Sequence, residues 1–370
     1  MLGATGLVGR QVCAELVRHG APIVAVGRRQ GALADLAREL AVERLHTGDA
    51  YDAAALARAF AGACVVINAA GPLRDTAAPV LVAALAAGAH YIDVGGEQAV
   101  LRDVYERHES TARHAGLVAL PGAGLDCVIG DLAAAWAAAH LIDASDPGDA
   151  VRHEPAPRLA EDHPLDDVAV SYVFDDLALS AGSQRALFSA LGTRAVVWRR
   201  DRWEDGRAGD HRRIDAGPAL GVRDALGYAG GEAITIPRHI TAQLVTSFVS
   251  TTRNPGATAA LRLAQRALRF VPRRVGDLLV PYTSTDPAYG ATRLAVIAQV
   301  RRGEATAHVL VRGHDLYRTT AAITAWAAHR LATRGAGPIG MRAPGELFRG
   351  EPALREIAIA ADLTIEPSFA

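Results

Sequence analysis

The stretch Gly3-Ala4-Thr5-Gly6-Leu7-Val8-Gly9 decides the fold. Glycines at this spacing join a first strand to a first helix. The first permits a tight turn, the second lets the backbone approach a pyrophosphate, and the third allows close packing of helix on strand. Free N–H groups at the helix start would then bind the phosphates, helped by the helix dipole. Only Met1 and Leu2 precede the motif, against ~5–6 residues in an ordinary strand. Whether upstream residues complete this strand is left open.

Strand-like and helix-like segments alternate over residues 1–128, which predicts a parallel sheet with helices on both faces. We therefore expect an α/β fold whose first domain is a doubly wound, Rossmann-type dinucleotide-binding domain. After the short first strand, the predicted strands are Pro22–Val26, Val42–Leu45, Cys64–Asn68, His90–Val94 and Leu117–Leu120.

The pattern changes near residue 129. Residues 129–315 are predicted to form a second α+β domain, for substrate binding and dimerisation, with a mostly antiparallel sheet. Residues 316–370 are predicted to be a helical segment that packs back on the first domain. The second domain is expected to begin with a helix at Leu132–Leu141, and its predicted strands are Val168–Phe174, Ala195–Trp203, Ala233–Ile236, Leu294–Val300 and His308–Val311.

Composition excludes several classes of function. The 370 residues carry 39 basic and 40 acidic side chains, and this balance argues against nucleic acid or an anionic membrane surface as partner. All the basic residues are arginine, so no Schiff-base lysine, P-loop lysine or Tyr-x-x-x-Lys pair exists. The longest strongly apolar stretch, Leu132–Ile142, is far shorter than the ~20 residues that span a bilayer. We expect a soluble cytoplasmic protein.

The three cysteines, Cys13, Cys64 and Cys127, show neither a C-x-x-C pair nor metal-ligand spacing. Such a sparse, odd set is typical of a reducing compartment and predicts neither disulfides nor a bound metal.

The end of the second predicted strand indicates which dinucleotide binds. An NAD site usually carries an acid there for the ribose 2′-hydroxyl, whereas this strand ends in Gly27-Arg28-Arg29. Two guanidiniums suit a 2′-phosphate, so NADP(H) is expected and NAD is disfavoured. Asp49, after the third strand, is expected beside the adenine. The segment Ala69-Ala70-Gly71-Pro72, after the fourth, is expected beside the nicotinamide ribose.

Several blocks in this order resemble the saccharopine dehydrogenase-like (saccharopine reductase-type) oxidoreductases. Besides the opening motif they are Asn68-Ala69-Ala70-Gly71-Pro72, Tyr91-Ile92-Asp93-Val94-Gly95-Gly96-Glu97, Gly122-Ala123-Gly124-Leu125-Asp126, Gly182-Ser183-Gln184-Arg185, Ile236-Pro237-Arg238-His239 and Gly313-His314-Asp315-Leu316-Tyr317. The resemblance implies an NAD(P)-dependent oxidoreductase that reduces a C=N or activated C=C bond of a small-molecule or carrier-linked metabolite. It also implies an inserted substrate domain; a homodimer is left open.

The reduction needs one proton donor beside the cofactor. Histidine is the residue type most suited to proton transfer near neutral pH, so His239 is one candidate, although a structural role for it stays open. Asp126 is the second candidate, with a helix cap or interdomain contact as the alternative. Two other functions also stay open. One is a non-catalytic NADP(H) sensor, and the other is a semialdehyde dehydrogenase in which Cys127 is the nucleophile.

Overall fold

The structure is a computed structural model. It describes residues 1–142, 150–152, 154–180, 183–184, 195–206, 210–254, 256, 258–260, 262–263, 289–333 and 337–369. Its helices are α1 (Leu7–Arg18), α2 (Gln30–Leu40), α3 (Ala53–Phe60), α4 (Leu73–Ala86), α5 (Gln98–His114), α6 (Leu125–Leu141), α7 (Gly217–Leu220), α8 (Glu232–Thr235), α9 (Leu316–Thr333), α10 (Pro344–Leu347) and α11 (Gly350–Ala361), with 3₁₀ turns at Ile236–Arg238 and Tyr289–Ala291.

Its strands are β1 (Val24–Gly27), β2 (Arg44–Thr47), β3 (Val65–Asn68), β4 (His90–Asp93), β5 (Val118–Leu120), β6 (Asp167–Asp175), β7 (Val196–Arg199), β8 (Arg202–Asp205), β9 (His211–Asp215), β10 (Val222–Gly227), β11 (Leu244–Ser250), β12 (Arg293–Arg302), β13 (Ala305–His314), β14 (Gly340–Met341) and β15 (Thr364–Phe369).

The first sheet is parallel throughout, and its order confirms the doubly wound fold. Leu2 lies between Val26 of β1 and Asn68 of β3, paired in parallel with both. The order is therefore β2-β1-Leu2-β3-β4-β5-β14, with the first segment of the chain in the middle. This order creates a crevice beyond the carboxyl ends of the strands, where ligands of such sheets bind.

The C-terminal part of the chain contributes to both sheets. Strand β14 pairs in parallel with β5, and helix α9 packs against α1. Strand β15 instead pairs antiparallel with β13 at the edge of the second sheet. The chain thus crosses between the two sheets more than once, which fixes them against each other.

The second sheet has the order β15-β13-β12-β6-β11-β10-β9 and is mostly antiparallel, as predicted; only β6 and β11 pair in parallel. Helix α6 lies on one face of it, and the residues Cys127–Ala138 are buried. On the other face β9 reaches back across the sheet, where Arg212 donates to Asp167 of β6 and Gln299 of β12, each at 3.0 Å. A hairpin of β7 and β8 branches from β11 and contacts the first domain.

Three predictions about elements of the second domain were wrong. Ala195–Trp203, predicted as one strand, is instead the hairpin of β7 and β8. Ala233–Ile236, predicted as a strand, is helical, because a short buried apolar run has no periodicity that separates helix from strand. Helix α6 begins at Leu125 rather than Leu132, so Asp126 lies in its first turn. Gly130 lies inside this helix, and a glycine in the sequence usually indicates a helix end, so the true start was not predicted. The position requires glycine, because a β-carbon there would lie 2.6 Å from the Val170 side chain.

Candidate active site

The glycine loop has the close packing that its spacing predicts. Gly3 adopts a φ of +78°, and a β-carbon there would lie 2.6 Å from the Ala69 carbonyl carbon. A β-carbon on Gly9 would lie 2.0 Å from the Gly3 carbonyl oxygen. Neither backbone can retreat, because Leu2 is held between β1 and β3. Positions 3 and 9 therefore accept only glycine in this fold.

The start of helix α1 suits an anion. Gly6 is the exposed N-cap residue, and no side chain caps the helix or places an acid in its first turn. N–H groups at a helix start lack partners within the helix, and the dipole favours negative charge there. These residues fit the pyrophosphate of a dinucleotide, since they combine open backbone donors with the clearance that glycine provides.

The residues predicted to select the cofactor meet at the ends of β1 and β2. Arg28 and Arg29 follow Gly27 directly, and both are exposed. The next strand is tied to this point because the Gly48 N–H donates to the Gly27 carbonyl at 3.1 Å. Asp49 follows, half-buried, with one carboxylate oxygen accepting the N–H of Tyr51. Two guanidiniums and one carboxylate thus lie at the end expected to hold adenosine.

A buried polar network supports the loop Ala69-Ala70-Gly71-Pro72. The Asn68 amide oxygen accepts the Ala70 N–H at 3.0 Å, and its nitrogen lies 3.3 Å from the Tyr91 hydroxyl. Tyr91 donates to Asp93 at 2.9 Å, and the other oxygen of that carboxylate accepts the N–H groups of Gly95 and Gly122. Burial raises the pKa of Asp93. The network fixes three neighbouring strand ends, so Asp93 orders the loops rather than facing the crevice.

Asp126 lies in the crevice itself. Its side chain is exposed to solvent, yet protein surrounds it closely enough for desolvation to raise its pKa to about 6. A β-carbon on Gly96 would lie 2.6 Å from the Asp126 β-carbon, so the β4–α5 loop passes directly beside it. An accessible carboxyl with a pKa of about 6 is partly protonated near neutral pH, which suits it to proton transfer.

A second carboxyl, Glu232, is fully buried behind the crevice. It accepts hydrogen bonds from the Tyr172 hydroxyl and from the Ser247 hydroxyl, the latter at 2.7 Å. Desolvation outweighs these two donors and raises the pKa of Glu232 to about 7, and the charge of Asp126 contributes to the rise. Desolvation also raises the pKa of Tyr228, and the charges of Glu232 and Asp126 add to the rise. The sequence alone did not identify Glu232 as a site residue, because its hydrogen-bond partners Tyr172 and Ser247 lie 60 and 15 residues away along the chain.

His239 and Asp126 are not brought together. His239 is buried, with its Nε2 atom 2.9 Å from a carboxylate oxygen of Asp131, and its ring packs against Gly345. Asp131 follows Asp126 by five residues on α6, about 140° around the helix and about 7.5 Å along it. His239 therefore belongs to the contact between the second domain and the C-terminal segment.

Cys127 is a buried thiol with no access to the crevice. Its sulfur lies against Gly231, where a β-carbon would approach it to 2.4 Å. Burial and the neighbouring charges of Glu232 and Asp126 raise the pKa of Cys127 well above its usual range. A thiol held neutral is a poor nucleophile, which removes the support for a thiol-dependent dehydrogenase.

Other residues of the blocks that resemble the family also meet. The Tyr317 hydroxyl donates to Ser183 at 2.9 Å and accepts the N–H of Ser180 at 2.7 Å. Gly182 and Arg185 lie outside the described residues.

Comparison with known proteins supports the resemblance. Residues 1–120 match the family described as saccharopine dehydrogenase NADP binding domain. The fold is similar to that of apo histidine-tagged saccharopine dehydrogenase (L-Glu forming) from Saccharomyces cerevisiae, with a TM-score of 0.64 at 13% identity over 100% of this chain and 98% of that chain. Residues 1–120 are therefore similar to that family of NADP binding domains, and the fold of the whole chain is similar to that of the yeast protein. The prediction of NADP(H) as the cofactor is confirmed at the level of the family.

A relative by sequence is a "lipid droplet localized protein" of Caenorhabditis elegans, 28% identical over 142 residues. The match covers 35% of this chain and spans about a third, 33%, of that relative. Within the described ranges, none of the helices combines the length and apolarity that crossing a bilayer requires.

Proposed function

We propose that this protein is an NADP(H)-dependent oxidoreductase that reduces a C=N or activated C=C bond of a small-molecule or carrier-linked substrate. The observation that carries the proposal is the position of Asp126. An accessible carboxyl with a pKa raised to about 6, and therefore partly protonated near neutral pH, lies at the same sheet edge as a glycine loop that suits a dinucleotide. A non-catalytic NADP(H) sensor does not require a carboxyl with a raised pKa at this edge of the sheet.

The cofactor-binding residues in this proposal are Gly3, Ala4, Thr5, Gly6, Leu7, Val8, Gly9, Arg28, Arg29, Asp49, Ala69, Ala70, Gly71 and Pro72. The loop of residues 3–9 would hold the pyrophosphate, and Arg28 and Arg29 would clamp the 2′-phosphate of NADP(H). Residues 69–72, at the end of β3, would border the ribose nearest the reacting ring.

Bound NADPH supplies a hydride to the carbon of the C=N or C=C bond. Protonated Asp126 donates the matching proton, to the nitrogen of an imine or to the α-carbon of a conjugated C=C bond, and is left as the carboxylate. Solvent re-protonates Asp126, because its side chain is exposed. The raised pKa keeps a useful fraction protonated at cytoplasmic pH.

The test uses two substrate panels with the purified protein and NADPH: imines formed in situ from primary amines and aldehydes, and α,β-unsaturated thioesters. We expect NADPH oxidation with members of one panel, and the loss of that turnover in Asp126→Asn. The exposed Asp35→Asn is the matched control, since Asp35 lies on α2 and pairs with Arg38. Tight NADPH binding without turnover in either panel would favour the non-catalytic sensor.

Residues 1–128, 129–315 and 316–370 remain our proposed division into a dinucleotide-binding domain, a substrate domain and a returning segment. A cytoplasmic location is likewise part of the proposal, and the location of the worm relative makes the surface of lipid droplets the alternative to test by fractionation.

A further inference from the structure

A glutamine side chain joins the two domains beside the crevice. Gln98 is the first residue of α5 and directly follows the loop that borders Asp126. It is 5% exposed. Its amide nitrogen donates to the carbonyls of Val196 and Gly230, each at 2.8 Å, and its oxygen accepts the Val196 N–H at 2.8 Å. All three bonds cross from the first domain to the second.

A second contact from the same face of α5 holds the same region. Arg102, four residues after Gln98, lies over the Trp203 ring with its guanidinium carbon 5.0 Å from the ring centre. The Trp203 indole N–H donates to the Ala233 carbonyl at 3.0 Å. Hairpin β7–β8 is therefore held between α5 and α8, the short helix that begins with Glu232.

The segment held in this way lies next to the loop that borders Asp126. A β-carbon on Gly231 would lie 3.7 Å from the Gly96 carbonyl oxygen, so the two backbones come close at this point. Gly96 lies against Asp126 on the opposite side. Because Gln98 binds the Gly230 carbonyl, its hydrogen bonds set the separation of the two domains at the position of the proposed proton donor.

We propose that Gln98 is a positioning residue, whose amide holds residues 228–232 of the second domain at a fixed distance from the carboxyl ends of the first sheet. This proposal rests on the proposed function, in which substrate lies between the two domains, beside Asp126. Gln98 itself contacts neither cofactor nor substrate. Reduction depends on the distance between a bound substrate and the cofactor, and a misplacement of about 1 Å can cost about 10²-fold in rate.

The variant Gln98→Leu keeps the size of the side chain and removes all three bonds. We expect unchanged NADPH affinity, a fall of about 10²-fold in kcat/KM with the responsive panel, and about tenfold faster amide hydrogen exchange over residues 230–235. Gln243→Leu is the control, since Gln243 is exposed and lies at the start of β11. Equal exchange over 230–235 in Gln98→Leu and the wild type would overturn the proposal, whether or not turnover is found.

Gln98→Glu provides a test that does not depend on how Gln98→Leu folds. The ionised carboxylate still accepts the Val196 N–H but faces two carbonyl oxygens, whereas the protonated form donates to one of them. Exchange over 230–235, corrected for intrinsic rates, should therefore slow as pH falls in Gln98→Glu and not in the wild type. A pH-independent exchange pattern would contradict the positioning role. Failure of the wild type to turn over substrate would contradict only the proposed function.

Discussion

The buried carboxyl of Glu232 should make the protein less stable at neutral pH than at mildly acidic pH. Burial raises its pKa from 4.5 to about 7, so the folded state holds a proton that the unfolded state releases between these values. Glu232 therefore lowers the free energy of unfolding by about 1.4 kcal/mol per pH unit above pH 4.5. This loss of stability levels off near pH 7 at about 3 kcal/mol. Replacing Glu232 with Gln removes the charge but keeps an oxygen for the Tyr172 hydroxyl, and the Ser247 hydroxyl can turn to accept the new amide.

The assay is urea unfolding of the wild type and Glu232→Gln at several pH values from 4.5 to 8, followed by circular dichroism. The difference in the free energy of unfolding between the two proteins should change by about 3 kcal/mol in favour of the variant as pH rises through this window. The difference isolates Glu232, because other titrating groups are common to both proteins. A difference that stays constant with pH, or that favours the wild type more at pH 8 than at pH 5, would refute the raised pKa and the reasoning from burial.

Three further predictions concern the crevice. Arg28→Asp should weaken NADPH binding about 10- to 100-fold without weakening NADH binding, because it removes charge-assisted hydrogen bonds worth about 1.5–3 kcal/mol. Calorimetry at low salt measures both affinities, and an unchanged affinity for NADPH would mean that Arg28 is only a surface residue. Asp126→Asn should lower kcat about 10²-fold or more. The kcat of the wild type should fall as pH rises above about 6, because Asp126 then loses its proton. A kcat that does not change with pH would exclude Asp126 as the proton donor. Gly9→Ala should abolish NADPH binding and lower the midpoint of thermal unfolding, because its methyl group would lie 2.0 Å from the Gly3 carbonyl oxygen; tight binding by this variant would contradict the packing of the loop.

The parts of the fold that local sequence encodes were predicted well. The glycine spacing at 3, 6 and 9 and the alternation of short apolar runs with helices define the first sheet, because each element there carries its own pattern. The helix at Ala53–Phe60 carries its own start signal, because Asp52 caps it by accepting the Ala55 N–H. Asp126 could be proposed as a site residue from the sequence for the same reason, because it follows the sixth predicted strand of the parallel sheet.

Contacts between distant segments could not be predicted in this way. Gln98 and Gly230 are 132 residues apart, and nothing near either position signals the bond between them. His239 shows the same limit from the other side: its residue type suits catalysis, whereas the fold buries it against Asp131. A side chain's chemistry can be inferred from sequence, whereas its neighbours depend on how the second domain packs on the first.

The most direct test of the central claim follows a labelled hydrogen. NADPH carrying deuterium at both C4 positions would be incubated with the protein and the panel member that it turns over, and the product would be analysed by mass spectrometry. We expect one deuterium on the former C=N or C=C carbon, and loss of product in Asp126→Asn but not in Asp35→Asn. NADPH that binds tightly while no deuterium reaches any substrate carbon would contradict the assignment as a reductase.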